Sequence, residues 1–213
     1  MTHAHTFRKL ALPIAALAAA LALTSCGTGS DAVHDTSSRG GASAGAAASV
    51  GAPAAGVKNK ADIQFAAMMI PHHAQAIAMA DLALKRGTAP TVKALAPRIK
   101  AAQGPEIARM SGWLIGWGEP VPNTTGESDM SGMSGMGEQT GGMMSAGQMT
   151  DLGAATGPAF DRMFLEMMIE HHQGAVAMAK DELAQGTNPE VKKLAQAVID
   201  GQSAEIAEMR RSL

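Results

Sequence analysis

Two short stretches carry the side chains best suited to chemistry. Met68-Met69-Ile70-Pro71-His72-His73 and Met167-Met168-Ile169-Glu170-His171-His172 each set two methionines shortly before two adjacent histidines. The remaining histidines, His3, His5 and His34, lie outside the part of the chain patterned to fold. Imidazole is the commonest metal ligand among side chains. Thioether is a soft, uncharged ligand that suits Cu(I) and is poor for Zn²⁺ or Mg²⁺. The doubled motif therefore points to metal chemistry, and the methionines favour copper, Cu(I) ahead of Cu(II).

The elements that must position these residues are themselves duplicated. An offset of 99 residues maps Asp62 onto Asp161, Phe65 onto Phe164, His72 onto His171, Met79 onto Met178, Gly87 onto Gly186, Gln103 onto Gln202, Glu106 onto Glu205 and Met110 onto Met209, without a gap. Each copy is then one supersecondary unit that needs its twin to bury its apolar face. Gly87 and Gly186 read as left-handed caps closing a first helix. Pro90 and Pro189 read as first-turn prolines opening a second. The chain is predicted to be all-α, with helical hairpins at residues 59–117 and 156–213 forming a single four-helix bundle.

Helical periodicity gives each histidine a direction. At about 100° per residue, Phe65, Met68, His72, Ala76 and Met79 share one face, and Phe164, Met167, His171, Ala175 and Met178 share its counterpart. His72 and His171 thus sit in mid-stripe, while His73 and His172 fall at the seam with a neighbouring helix. The second helix of each copy carries a glutamate on its apolar stripe, Glu106 and Glu205, which is costly unless paired. If the first hairpin turns near Thr88, the level of His72 falls between Gln103 and Glu106; in the second copy the level of His171 falls between Gln202 and Glu205. Each hairpin is expected to aim histidine, glutamine and glutamate at one height, with Glu106 and Glu205 in reach of His72 and His171.

Two readings of that layer stand side by side. One is a buried His–Glu network that fixes helix register. The other is a metal site with His72, His73, His171 and His172 as ligands, Met68, Met79, Met167 and Met178 near them, and Gln103, Glu106, Gln202 and Glu205 as ligands or supports. A structural network needs one histidine per hairpin, and this chain keeps two in both copies. The core methionines, taken singly, also serve as ordinary filler.

The chain holds 16 methionines, and several fall where no core is expected. Residues 118–155 are rich in Gly, Ser and Met, lack apolar periodicity, and are expected to be a mobile linker. There Met130, Met133 and Met136 recur at every third residue, followed by Met143, Met144 and Met149. With no apolar face to bury them, they are candidate Cu(I) ligands or sacrificial oxidisable groups.

The N-terminal composition suggests export. Arg8 and Lys9 precede an apolar run, Leu10 to Leu23, in the manner of a signal peptide over residues 1–25. Leu23-Thr24-Ser25-Cys26 resembles a bacterial lipoprotein cleavage box, with Cys26, the sole cysteine, as the lipidated residue. A two-chain lipid would anchor the protein stably to a bacterial membrane on its extracytoplasmic side. Residues 26–58, mostly Gly, Ala and Ser, then form a flexible tether. A formal charge of −2, no tyrosine and four phenylalanines argue against nucleic acid as a partner.

The residues around Asp62, Phe65, Met68 to His73 and Ala76 to Ala80, with Gln103, Glu106-Ile107, Met110 and Trp113-Leu114, resemble the domain-of-unknown-function-305 family of secreted bacterial proteins. The resemblance covers both hairpins, about half of the chain. It implies a ferritin-like bundle and, from some members, copper binding and tolerance outside the cytoplasm. Glu170 departs from the first copy's Pro71, and the second copy lacks counterparts of Trp113 and Trp117. Three functions remain open on the sequence. The first is a lipid-anchored copper buffer or chaperone exchanging copper with a donor or acceptor protein. The second is a metal-free interaction bundle. The third is a di-iron or di-manganese enzyme, for which the Glu-x-x-His motifs are missing.

Overall fold

The computed structural model describes residues 56–124 and 141–213. The expected signal peptide, Cys26, most of the expected tether, and Met130, Met133 and Met136 lie outside the described residues. The fold is all-helical: α1 (Lys60–Arg86), α2 (Pro90–Trp117), α3 (Ala146–Ala154), α4 (Gly157–Gln185) and α5 (Pro189–Arg210). The pairs α1–α2 and α4–α5 are the two expected hairpins, and they meet chiefly through α1 and α4. From the expected first-helix stripes Phe65, Ala76, Met79, Phe164 and Ala175 are buried, and Val92, Leu95, Ile99, Val191, Leu194 and Val198 of the second helices are buried with them. No helix among the described residues is long and apolar enough to cross a membrane.

Local chemistry explains the helix starts. Asn59 caps α1 through a reciprocal pair with Asp62, and Asn188 caps α5 by accepting from the Glu190 and Val191 amides. The N-cap of α2, Ala89, has no side chain for the task. Asp161 of α4 supplies it from the other hairpin, accepting from the Thr88 and Ala89 amides at 2.9 and 2.8 Å and from the Thr88 hydroxyl. Asp62 of α1 does the same for the second hairpin, accepting from the Thr187 and Asn188 amides at 3.1 and 2.9 Å. Each copy thus caps the turn of its twin. Burial alone would raise both carboxyls, but the hydrogen bonds they accept outweigh it and hold both below the ordinary carboxylate range.

Two expectations are corrected. Gly87 and Gly186 do close their helices, but their φ angles are −58° and −68°, not left-handed. Crowding explains glycine here: a Cβ at Gly87 would stand 2.6 Å from the Ala83 carbonyl oxygen and 2.8 Å from Val92 Cγ1, and one at Gly186 would overlap the Glu182 carboxyl. The second correction concerns the linker. Residues 146–154 are helical, opened by a capping box between Ser145 and Gln148, and Met144 and Leu152 are buried in the core. An apolar face does exist for part of this segment.

Candidate metal centre

Two of the four imidazoles meet inside the bundle. His72 on α1 and His171 on α4 pack ring against ring, with centroids 3.8 Å apart and planes tilted by 39°. This is the face-to-face approach that twofold packing of two equal hairpins produces. All four histidines are buried. His73 and His172 turn away from that central pair toward the second helix of their own hairpins.

There they meet the glutamates. His73 Nε2 is 2.7 Å from Glu106 Oε2, and His172 Nε2 is 2.7 Å from Glu205 Oε2. Sequence counting placed Glu106 and Glu205 at the right height but assigned them to His72 and His171. The rotation about the helix decides otherwise, because the α1–α2 and α4–α5 seams face His73 and His172. A carboxylate only accepts, so each Nε2 carries the hydrogen and the neutral tautomer leaves a lone pair on Nδ1. This is the carboxylate–imidazole arrangement that orients metal-binding histidines.

The nitrogens left over are the telling feature. Both nitrogens of His72, both of His171, and Nδ1 of His73 and of His172 are buried without a hydrogen bond of normal geometry. Gln103 is in the same condition at Nε2 and Oε1, and Gln202 at Oε1. Leaving a buried polar atom unpaired costs about 1–3 kcal/mol. Six such imidazole nitrogens amount to a cost on the order of the whole net stability of a domain.

The electrostatics suit a ligand role. Burial, and then the neighbouring His73, push the His72 imidazole down to about 3, opposed by the Gly141 backbone. Burial, followed by His72, holds His171 well below its ordinary value. Both are neutral near pH 7, so their lone pairs are available to a metal.

The methionines divide. Met68, Met79 and Met167 are buried. Met178 is half-buried and, with Met68, lines a groove of about 620 Å³ between α1 and α4. Met144 packs into the core cluster that holds Met79 and Met167, and Met143 beside it is half-buried. Among the described residues, no three His, Cys, Asp or Glu side chains converge as a ready metal cage.

Two features went unseen in the sequence. Glu182 is buried on α4 beside Asp62; burial, and then Asp62, push its carboxyl up to about 8. Residues 141–144 also cross from α4 to α1 one turn beyond the paired histidines. Their signal was available: the 99-residue offset sets Glu182 against Ala83 and Gly174 against Gln75, both breaks in the repeat.

With this geometry in place, known proteins offer a comparison. The family model described as a domain of unknown function, DUF305, matches residues 62–213. The chain belongs to the DUF305 family. It is similar to a DUF305 protein from Streptomyces coelicolor thought to be secreted, at 34% identity and a TM-score of 0.61, over 70% of this chain and 89% of that one. It is also similar to CopM in its Cu(I)-bound form, at 35% identity and a TM-score of 0.57, and in its Cu(II)-bound form, at 38% and 0.58. Both CopM comparisons cover 70% of this chain and 93% of CopM. No curated protein sequence matches the chain significantly.

Proposed function

We propose that this DUF305 protein binds copper outside the cytoplasm, held to the membrane by lipid on Cys26, and acts as a copper buffer or chaperone. The observation that carries the reading is the set of six buried imidazole nitrogens on His72, His73, His171 and His172 without a hydrogen bond of normal geometry. The copper-bound CopM structures support the choice of metal. Secretion rests on the N-terminal signal pattern and on the relative thought to be secreted.

In this reading His72 and His171 form the centre of the site. His73 and His172 contribute Nδ1, with Glu106 and Glu205 fixing their tautomers. Thioethers of Met68, Met79, Met167 and Met178 favour Cu(I) over zinc, which wants a four-ligand tetrahedral cage. Met130, Met133, Met136, Met143 and Met144 would capture Cu(I) and pass it between this protein and a donor or acceptor. The metal-free interaction bundle accounts for the His73–Glu106 and His172–Glu205 pairs but leaves the central pair unexplained. A di-metal enzyme needs about four converging carboxylates, and Glu106 and Glu205 are each turned to a flanking histidine instead.

The test is competition for Cu(I) against a chromophoric chelator. Changing His72 and His171 together to Ala is expected to lower affinity at least about 100-fold, since each lost ligand removes more than 1.4 kcal/mol. Helix content, read by far-UV circular dichroism, should stay unchanged. Wild-type affinity in that variant would mean the histidines are a structural layer.

A further inference from the structure

The segment Gly141–Met144 crosses the bundle directly beside the central histidines. At one end Gly141 presses on Gly174 of α4, so closely that a Cβ at Gly174 would overlap the Gly141 carbonyl oxygen. Gly142 follows at φ +85°, where a side chain would be strained and a Cβ would stand 2.5 Å from the Glu170 carbonyl oxygen. At the other end Gln75 of α1 clamps Met144 twice: Oε1 accepts from the Met144 amide at 2.7 Å, and Nε2 donates to its carbonyl at 2.7 Å. Gln75 and Gly174 each lie three residues after a central histidine, so one turn separates the crossing from His72 and His171. The Gly141 backbone lies near enough to act on the His72 imidazole.

We infer that residues 141–144 are a latched strap that covers the His72–His171 pair, with Gln75 as the latch and Gly174 as its seat. Gly141 and Gly174 also line the 620 Å³ groove. Releasing the strap would expose the central pair toward the groove, past Met68 and Met178. The repeat is broken to build this device. Twofold copies would carry the same residue at both sites, but a single strap needs a double hydrogen-bonding amide on one side and no side chain on the other. A main-chain amide and carbonyl satisfied together by one glutamine resemble a strand pairing and hold well only while water is kept out. The strap itself stands on geometry alone. What passes it, a soft monovalent cation, rests on the copper reading.

Two variants attack the strap from opposite ends. Gln75→Leu removes both hydrogen bonds while keeping the size of the side chain. Gly174→Ala expels Gly141 sterically while favouring the helix. In full-length, metal-free protein, the histidines are modified with diethyl pyrocarbonate and followed by peptide mass spectrometry. Modification of His72 and His171 is expected to be about tenfold faster in both variants, the effect of losing a pair of modest hydrogen bonds. Stopped-flow uptake of Cu(I) should accelerate in parallel, and circular dichroism should be unchanged. Modification at the wild-type rate in either variant overturns the strap. If modification accelerates but neither the wild type nor the variants take up Cu(I), the strap stands and the copper reading falls.

Discussion

At the scale of single residues, the site depends on which nitrogen of each imidazole is free. His73 and His172 are buried, and their Nε2 atoms are fixed on Glu106 and Glu205. The glutamates are themselves only partly buried, so each links a buried histidine to the solvent side. Changing Glu106 and Glu205 to Gln keeps the shape but weakens the charge-assisted bond and its hold on the tautomer. Copper affinity is expected to fall about 10-fold to 100-fold, the usual effect of losing an orienting partner. Imidazole ¹⁵N spectra should show Nδ1–H tautomers appearing at His73 and His172. Unchanged spectra together with unchanged affinity would show that the glutamates do not orient the rings. Sequence periodicity had already placed His72 and His171 inside, because mid-stripe positions tolerate a wide error in angle. It could not separate the partners of His72 from those of His73, because adjacent residues differ by about 100° and counting fixes height alone.

At the scale of elements, the two first helices are not equivalent despite their shared stripe. The end of α4 carries Glu182 against Asp62, while α1 has Ala83 at the matching place. Burial, and then Asp62, hold Glu182 protonated up to about pH 8. Its unfolded value lies near the usual 4.5. Stability from this group is therefore fully present below pH 4.5 and is lost as pH rises through 8, because the unfolded chain releases the proton first. Glu182→Gln keeps a donor toward Asp62 and removes the titration. The variant is expected to be more stable than wild type by on the order of 2 kcal/mol at pH 8, with the gap closing toward pH 4.5. Urea denaturation across that range tests it, and a pH-independent difference would show that Glu182 is ionised in the fold. The α3 helix was equally invisible beforehand. Nine residues are too few to display a period, and Met144 and Leu152 reach the core as isolated apolar residues among Gly and Ser. Tertiary packing, not local pattern, orders that segment.

At the scale of the whole molecule, duplication places the copper candidates between two ends that are locked in the same way. Asp62 ties the start of α1 to the turn before α5, and Asp161 ties the start of α4 to the turn before α2. The antiparallel approach of α1 and α4 puts these locks at opposite ends of the bundle, with His72 and His171 between them. The caps therefore bear directly on how firmly the two halves close on the central pair. Each aspartate accepts several hydrogen bonds and is held below the ordinary carboxylate range. Asp62→Asn and Asp161→Asn should each cost about 1–3 kcal/mol, the range for a buried group deprived of its charged partner. The double variant should lose the sum, because sites far apart with no shared partner add. The pH dependence has a definite sign. A depressed carboxyl contributes stability that is full above its unfolded value near 3.8 and is lost as pH falls through the lower folded value. The gap between wild type and the double variant should thus be complete at pH 7 and shrink below pH 3.8. Denaturation midpoints at pH 7 and pH 3 measure it. A double variant as stable as wild type at pH 7 would show that the hairpins are held by their apolar faces alone.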